Sequence, residues 1–281
     1  MDKINIAKQM VREIIQQLPN PKSLTQIYIG GSLAREFHDQ FSDIELVFVY
    51  QNCDYNELSK CIEKSQTMKL ERSQTTKDGT LLDCLYFQKQ KIDLMHISYQ
   101  SLQAQLDLFN DMDRVDPSTQ AIISCYQPPT LIWEHPQIGV GELKIKVTKH
   151  HFEKIIEYGV KQFSTQMLSI HISREDSIMI QQSLFSIQRA FLIIVFAINN
   201  TLMPGYKQLS KTIALLNVKP DKFLEKLDHI SKERTPLLIK LISDLYNETR
   251  LLCLDQAMLE RLPLNLDFES MRTKQIDSNI K

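Results

Sequence analysis

The chain has 281 residues, of which 24% are charged and 43% belong to the hydrophobic set, so it can bury the core of one or two globular domains. Its 33 Lys and Arg residues nearly balance its 34 Asp and Glu residues, which gives a formal net charge of -1. This balance argues against binding to extended nucleic acid, because such binding depends on many contacts between cationic side chains and phosphates.

Cysteine usage and hydropathy predict the cellular environment. Five cysteines are scattered along the chain without a CxxC pair, which argues against a disulfide framework and a thiolate zinc site. The N-terminal residues lack the apolar segment of a secretory signal, and the longest apolar run, 190–198, is too short to span a bilayer. We therefore expect a cytoplasmic protein that is not inserted in a membrane.

The first hundred residues combine helical periodicity with closely spaced strands. Helices are predicted at 4–18, 33–40 and 55–64, and strands at 24–29, 44–50, 68–72, 81–87 and 91–97. After a helical stretch at 98–112, a last strand is predicted at 130–133. This order predicts an α+β fold with a mixed sheet and helices on one side.

Beyond about residue 143 the pattern is almost entirely helical. The clearest helix is predicted from Ser173 to Asn199, with Ser173 and Asp176 in a capping-box-like start. We predict an N-terminal catalytic domain over 1–138, an all-α helical bundle over 139–262 and a polar tail over 263–281.

A glycine turn follows the first predicted strand. Gly30 and Gly31 let the backbone approach phosphate groups closely. Ser32 can donate its hydroxyl at the start of the next helix, where anions are favoured. These three residues are therefore candidates for binding a nucleotide.

Three acidic residues form the second part of the pattern. Asp43 and Glu45 are two residues apart at the start of a strand, which places both side chains on one face. Asp93 adds a third carboxylate if its strand is a neighbour in the right register. Grouped carboxylates repel one another unless a cation lies between them, and Mg²⁺ prefers hard oxygen ligands and bridges to phosphates. Two such ions about 4 Å apart activate a hydroxyl and stabilise leaving pyrophosphate.

The context of this acidic pair sets it apart from others in the chain. Acidic residues two apart also occur at 111/113 and 267/269, but neither pair opens a strand after a glycine turn. The combination of Gly30-Gly31-Ser32, Asp43-Ile44-Glu45 and Ile92-Asp93-Leu94 resembles the signature of the polymerase-beta-like nucleotidyltransferases. The helical C-terminal half is similar in architecture to the branch that modifies aminoglycoside and lincosamide antibiotics.

The resemblance implies a Mg²⁺-dependent enzyme that transfers a nucleoside monophosphate from an NTP to a hydroxyl group of a small molecule. Asp43 and Glu45 would hold two Mg²⁺ ions, and Asp93 would complete the set and accept the hydroxyl proton. ATP is the expected donor on the resemblance alone. The antibiotic-modifying branch implies an aminoglycoside- or lincosamide-like acceptor.

Three further residues are candidates for contacting the nucleotide. Arg35 and Lys207 could bind phosphates, and the alternative for each is a solvated cation. Ser42 could contact the nucleotide or cap the turn before its strand. His96, three residues after Asp93, is expected to point to the other face of the sheet and to be structural.

Two alternative functions remain open at this point. The first is an enzyme that transfers AMP to a protein or a tRNA, as some toxin–antitoxin relatives of the family do. The second is a non-catalytic nucleotide-binding regulator on the same fold. Glu36 favours the regulator, because many members of the family have glycine at that position.

Overall fold

The computed structural model describes residues 2–17, 23–34, 38–51, 56–75, 80–125, 130–137, 145, 147–163, 165–234 and 237–256. The chain divides into two compact units, the first formed by Met1–Arg114 and Ser118–Lys146, the second by Val115–Pro117 and Val147–Lys281. The predicted boundary at 138/139 and the predicted tail at 263–281 fall outside the described residues, so the predicted domain limits stay predictions.

The first unit contains a six-stranded sheet with strand order β3-β4-β5-β2-β1-β6. The strands are β1 (Leu24–Ile29), β2 (Ile44–Tyr50), β3 (Met68–Thr75), β4 (Leu81–Phe87), β5 (Gln90–Ser98) and β6 (Thr130–Glu134). Strands β2 and β5 are parallel, and every other neighbouring pair is antiparallel. This sheet of mixed direction, followed by a helical C-terminal part, confirms the predicted α+β class.

Helices cover one face of this sheet. The helices of this part of the chain are α1 (Lys3–Gln17), α2 (Gly31–Ala34), α3 (Asn56–Lys64), α4 (Tyr99–Asn110) and α5 (Pro117–Cys125). Met10 and Ile14 of α1 join one buried cluster with Cys61 of α3 and with Leu46 and Leu94 of the central strands. Successive side chains of a strand point to opposite faces of the sheet, so the residues next to these in sequence point to the other face, where much of β2 is also buried.

The second unit is helical in its described part. Its helices are α6 (Lys149–Lys161), α7 (Thr165–Ser173), α8 (Ser177–Ile198), α9 (Leu209–Ala214), α10 (Phe223–Lys232) and α11 (Leu237–Asp255). Helix α8 is at the centre, because α6, α7, α10 and α11 all contact it. Gly159 allows α6 to approach α8 closely, since a Cβ atom there would lie 2.8 Å from Ile194 Cγ1.

Judged by length and composition alone, α8 is the single helix among the described residues that could cross a membrane. Half of its most apolar window is buried inside the protein. The longest apolar run of the sequence, 190–198, lies wholly within the buried part of α8.

Two local predictions are wrong in detail. The helix predicted at 33–40 begins earlier, at Gly31, and residues 38–40 are not helical. Ser173 ends α7 instead of starting α8, and the N-cap of α8 is Asp176, whose side chain accepts a hydrogen bond of 3.1 Å from the Met179 amide. At this position the carboxylate accepts a hydrogen bond from a free amide, and its negative charge is stabilised by the positive end of the helix dipole. Asp176 can therefore cap α8 without Ser173.

Candidate active site

The three predicted acids lie at one end of the parallel strands β2 and β5. Ile44 is the register partner of Ile92, and Glu45 is the partner of Asp93. Both isoleucines are fully buried in the helix-covered core, so the two acids point to the opposite face of the sheet. Asp43, two residues before Glu45, lies on the same face and reaches the same group of side chains. The structure therefore brings these three residues together.

A lysine lies between two of the acids. The ammonium group of Lys91 donates hydrogen bonds to Asp43 Oδ2 at 2.9 Å and to Asp93 Oδ2 at 3.3 Å. The hydrogen bond to Asp43 raises the pKa of Lys91, burial opposes it, and the charge of Asp93 adds to the rise. Lys91 therefore places a positive charge within the acidic group.

The glycine turn packs directly against Glu45. The amide of Gly30 donates a 2.8 Å hydrogen bond to the backbone carbonyl of Glu45, which fixes the turn to the start of β2. Gly31 has φ +61°, and a Cβ atom there would lie 1.7 Å from Glu45 Oε2. Glycine is needed at position 31 for both reasons, the left-handed backbone and the carboxylate that occupies the space of a side chain.

Ser32 follows this turn and is half-buried in α2. The described part of α2 covers Gly31–Ala34, and residues 35–37 lie outside the described residues. The predicted contact of Ser32 with phosphate at the start of this helix stays a prediction.

Ser42 is part of a hydrogen-bonded turn. Its hydroxyl donates to Asp39 Oδ1 at 3.0 Å and accepts a hydrogen bond from the Asp39 amide, also at 3.0 Å. The ammonium group of Lys3 contacts the backbone carbonyls of both Asp39 and Ser42. These contacts position the chain just before Asp43 and give Ser42 a structural role, while its predicted contact with the nucleotide stays a prediction.

The two cations predicted to bind phosphates are not brought into this group by the described contacts. Arg35 and its neighbour Glu36 lie outside the described residues. Lys207 belongs to the second unit, where it is exposed in the turn before α9. The proposed contacts of Arg35 and Lys207 with a triphosphate stay predictions.

A cavity of about 260 Å³ opens beside Glu45 and Asp93, on the face of the sheet that bears these two acids. Met95 and Leu82 provide apolar lining, and Arg72 of β3 adds an exposed cation. The cavity therefore offers both apolar surface and charged groups next to the acids, as small-molecule sites usually do.

Cys84 also lines this cavity, and its thiol donates to Glu71 Oε2 at 3.3 Å. Burial, together with hydrogen bonds to Glu71 and Asp93, raises the pKa of Cys84 to about 12. The raised pKa favours the protonated thiol at neutral pH, which disfavours Cys84 as a nucleophile.

A buried pair formed by His96 of β5 and Asp83 of β4 lies on the core face of the sheet. His96 Nε2 lies 3.1 Å from Asp83 Oδ2, and His96 Nδ1 lies 3.0 Å from the Tyr50 hydroxyl. Burial alone raises the pKa of Asp83, but hydrogen bonds from His96 and Ser73 outweigh it, so the pKa lies below the ordinary value. His96 lies on the core face, as predicted.

Sequence reasoning missed Lys91, Arg72 and Cys84. Lys91 had a usable signal, because a residue two positions before Asp93 on a strand shares its face. Arg72 and Cys84 had none, since their approach to Asp93 depends on the register of β3, β4 and β5.

The donor chemistry of the acids fits a hard divalent cation. Asp43, Glu45 and Asp93 supply only carboxylate oxygens, and two of them already share the positive charge of Lys91. Across the described residues, no three His, Cys, Asp or Glu side chains are grouped closely enough to hold a metal ion as they stand. Glu45 and Asp93 are register partners about 5 Å apart, so rotations of their side chains can bring them to one ion.

Comparison with known proteins gives only distant similarity. No protein-family profile and no curated protein matches the chain. A nucleotidyltransferase-like protein from Exiguobacterium sibiricum is 11% identical, with 89% of this chain and 75% of that chain covered and a TM-score of 0.41. A protein from H. pylori, provisionally described as a nucleotidyltransferase, is 12% identical, with 92% and 98% covered and a TM-score of 0.24. These structural neighbours are nucleotidyltransferase-like proteins of low identity and low TM-score.

Proposed function

We propose that this protein transfers a nucleoside monophosphate from ATP to a hydroxyl group of a small molecule and releases pyrophosphate. One observation carries the proposal. Asp43 and Glu45 share one face of two parallel strands with Asp93, which is distant from them in sequence, and the turn at Gly31 packs against Glu45. This combination places acidic groups beside a backbone turn that can approach phosphates.

The chain's own residues have two roles in the reaction, holding the triphosphate and accepting a proton. The backbone at Gly30 and Gly31, with the hydroxyl of Ser32, would hold the triphosphate beside Glu45. Asp93 would take the proton of the acceptor hydroxyl, whose oxygen then forms a bond to the α-phosphorus. The bond from the α-phosphorus to the bridging oxygen of the β-phosphate breaks, and pyrophosphate leaves with that electron pair.

Asp43, Glu45 and Asp93 would hold Mg²⁺, which would supply positive charge to neutralise the phosphates when bound. Arg35, Ser42 and Lys207 are proposed as additional contacts for the nucleotide. The cavity beside Glu45 and Asp93 supports a small acceptor, because its volume of about 260 Å³ is modest. The proposed acceptor is an aminoglycoside- or lincosamide-like compound with a free hydroxyl group. The proposed location is the cytoplasm.

Pyrophosphate release tests this function. The purified protein is incubated with ATP, Mg²⁺ and a panel of aminoglycosides and lincosamides, and pyrophosphate is measured with a coupled assay. We expect release that depends on the acceptor and stops with EDTA. Nucleotide binding without release under every condition would favour the non-catalytic regulator, and AMP transfer to added tRNA or protein would favour the macromolecular acceptor.

The role of Asp93 is tested by Asp93→Asn. This variant should lose turnover but keep nucleotide binding, because the amide keeps the shape of the side chain but cannot accept the proton. Asp113→Asn is a matched control, since Asp113 is an exposed residue beyond α4 and its substitution makes the same change in charge. Full turnover of Asp93→Asn would remove Asp93 from the reaction.

A further inference from the structure

The cation between Asp43 and Asp93 is part of the protein itself. Lys91 lies on β5, two residues before Asp93, so the strand fixes its Cα beside the acids. Its ammonium group contacts both aspartates, at 2.9 and 3.3 Å. Two of the three carboxylates expected to hold metal ions therefore already share a positive charge that cannot diffuse away.

The fixed ammonium group limits where divalent ions can lie in this group. Asp43, Glu45 and Asp93 carry three negative charges, and Lys91 contributes one positive charge. Without nucleotide, the remaining two negative charges match one divalent ion. A bound triphosphate adds further negative charge, so repulsion by the nearby ammonium group, and not net charge, limits the site to one ion. A second divalent ion about 4 Å from the first would also lie near the ammonium group, where both neighbours repel it.

We propose that Lys91 takes the place of one of the two metal ions, so that the site binds a single divalent cation together with the nucleotide. This inference rests on the proposed function and revises the two ions expected from the sequence. The single ion would be held by Glu45 with Asp93, while the ammonium group of Lys91 keeps Asp43 beside them. Lys91 thus supplies fixed charge at the position where the second ion would contribute it.

Counting bound Mn²⁺ tests this proposal. Mn²⁺ is titrated into the full chain, and the free ion is measured by electron paramagnetic resonance, without nucleotide and with saturating α,β-methylene ATP. We expect one Mn²⁺ per wild-type chain in the presence of the analogue. Lys91→Met keeps most of the side-chain stem but removes the charge, so it should bind two ions, the first about tenfold more tightly.

Two control variants separate charge from general damage. Lys91→Arg keeps the positive charge and should keep a stoichiometry of one. Lys64→Met makes the same change in net charge at an exposed residue of α3, on the helix-covered side of the sheet, and should leave both stoichiometry and affinity unchanged. Circular dichroism of each variant shows whether the fold is kept.

The outcomes distinguish this inference from the proposed function. Two ions per wild-type chain, or unchanged number and affinity in Lys91→Met, would overturn the role of Lys91 and leave the nucleotidyltransferase proposal standing. No specific Mn²⁺ binding to wild type or to any variant, with the analogue present, would overturn both. If Lys91→Met does not fold, the number of Mn²⁺ ions bound per chain by the wild type and by Lys91→Arg still tests the proposal. Both must bind one ion, and two ions in either would overturn it.

Discussion

Substituting Gly31 by alanine should damage the site far more than it damages the fold. The new Cβ atom would lie 1.7 Å from Glu45 Oε2, and real Cβ contacts are essentially never shorter than 3.0 Å. The carboxylate oxygen must therefore move by at least the difference, 3.0 minus 1.7, or 1.3 Å. Because this oxygen is at the end of a flexible side chain, Glu45 can rotate away without disturbing the sheet.

The two costs can be estimated separately. Holding an alanine at φ +61° costs about 1–2 kcal/mol of unfolding free energy, because the left-handed conformation is strained for residues with a Cβ atom. Displacing Glu45 removes one oxygen ligand from the ion, which should weaken Mn²⁺ binding about 10–100-fold by comparison with other disrupted metal sites. Metal affinity should thus fall much more than stability.

A double-mutant cycle measures whether Glu45 is the cause. Mn²⁺ affinity is measured for Gly31→Ala, Glu45→Ala and the double variant, and urea unfolding gives the stability of each. If the alanine acts by moving Glu45, then Gly31→Ala causes no further loss of affinity in the Glu45→Ala background. Fully additive losses, or an unchanged affinity in Gly31→Ala, would refute the reasoning.

Three other predictions concern packing, pH and thiol reactivity. Gly159→Val should lower the unfolding free energy by about 1–3 kcal/mol in urea titrations, because its methyl groups overlap α8; unchanged stability would contradict the close packing. Asp83→Asn should lower stability at pH 7 by about 1.5–3 kcal/mol through its weaker bond to His96. Since the pKa of Asp83 lies below its ordinary 3.8, its contribution is present above that pH and is lost below it, so the two stabilities should converge as the pH falls; a constant difference would refute the assignment. Cys84 should resist iodoacetamide at pH 8 in the native protein and react faster in Asp93→Asn, as measured by peptide mass spectrometry, because Asp93 helps to raise its pKa to about 12; equal rates would argue against the contact.

The sequence was sufficient to predict which acidic residues form the candidate site but not how they are arranged in space. The strands at 44–50 and 91–97 were predictable from their β-branched and aromatic residues, and a period of two placed Asp43 and Glu45 together. Whether Asp93 lies on the same face depends on the parallel pairing of β2 with β5, which connects residues nearly fifty apart in the chain. No local pattern specifies that register.

Lys91 and the cap of α8 show two other limits of sequence reasoning. A lysine on the exposed side of a strand is usually solvated. Lys91 is therefore recognised as part of the site only once its 2.9 Å contact with Asp43 is known. Ser173 and Asp176 both suit the start of a helix, and the choice depends on where α7 ends. Long-range pairing decides the first case and competition between neighbouring helices decides the second.

The most direct test of the central claim is a crystal structure of the protein with Mn²⁺ and α,β-methylene ATP, in which anomalous scattering locates the metal. We predict a Mn²⁺ peak about 2.1 Å from carboxylate oxygens of Glu45 and Asp93, with the phosphates against the turn at Gly31. A Mn²⁺ ion bound elsewhere, with these carboxylates contacting neither metal nor nucleotide, would contradict the account.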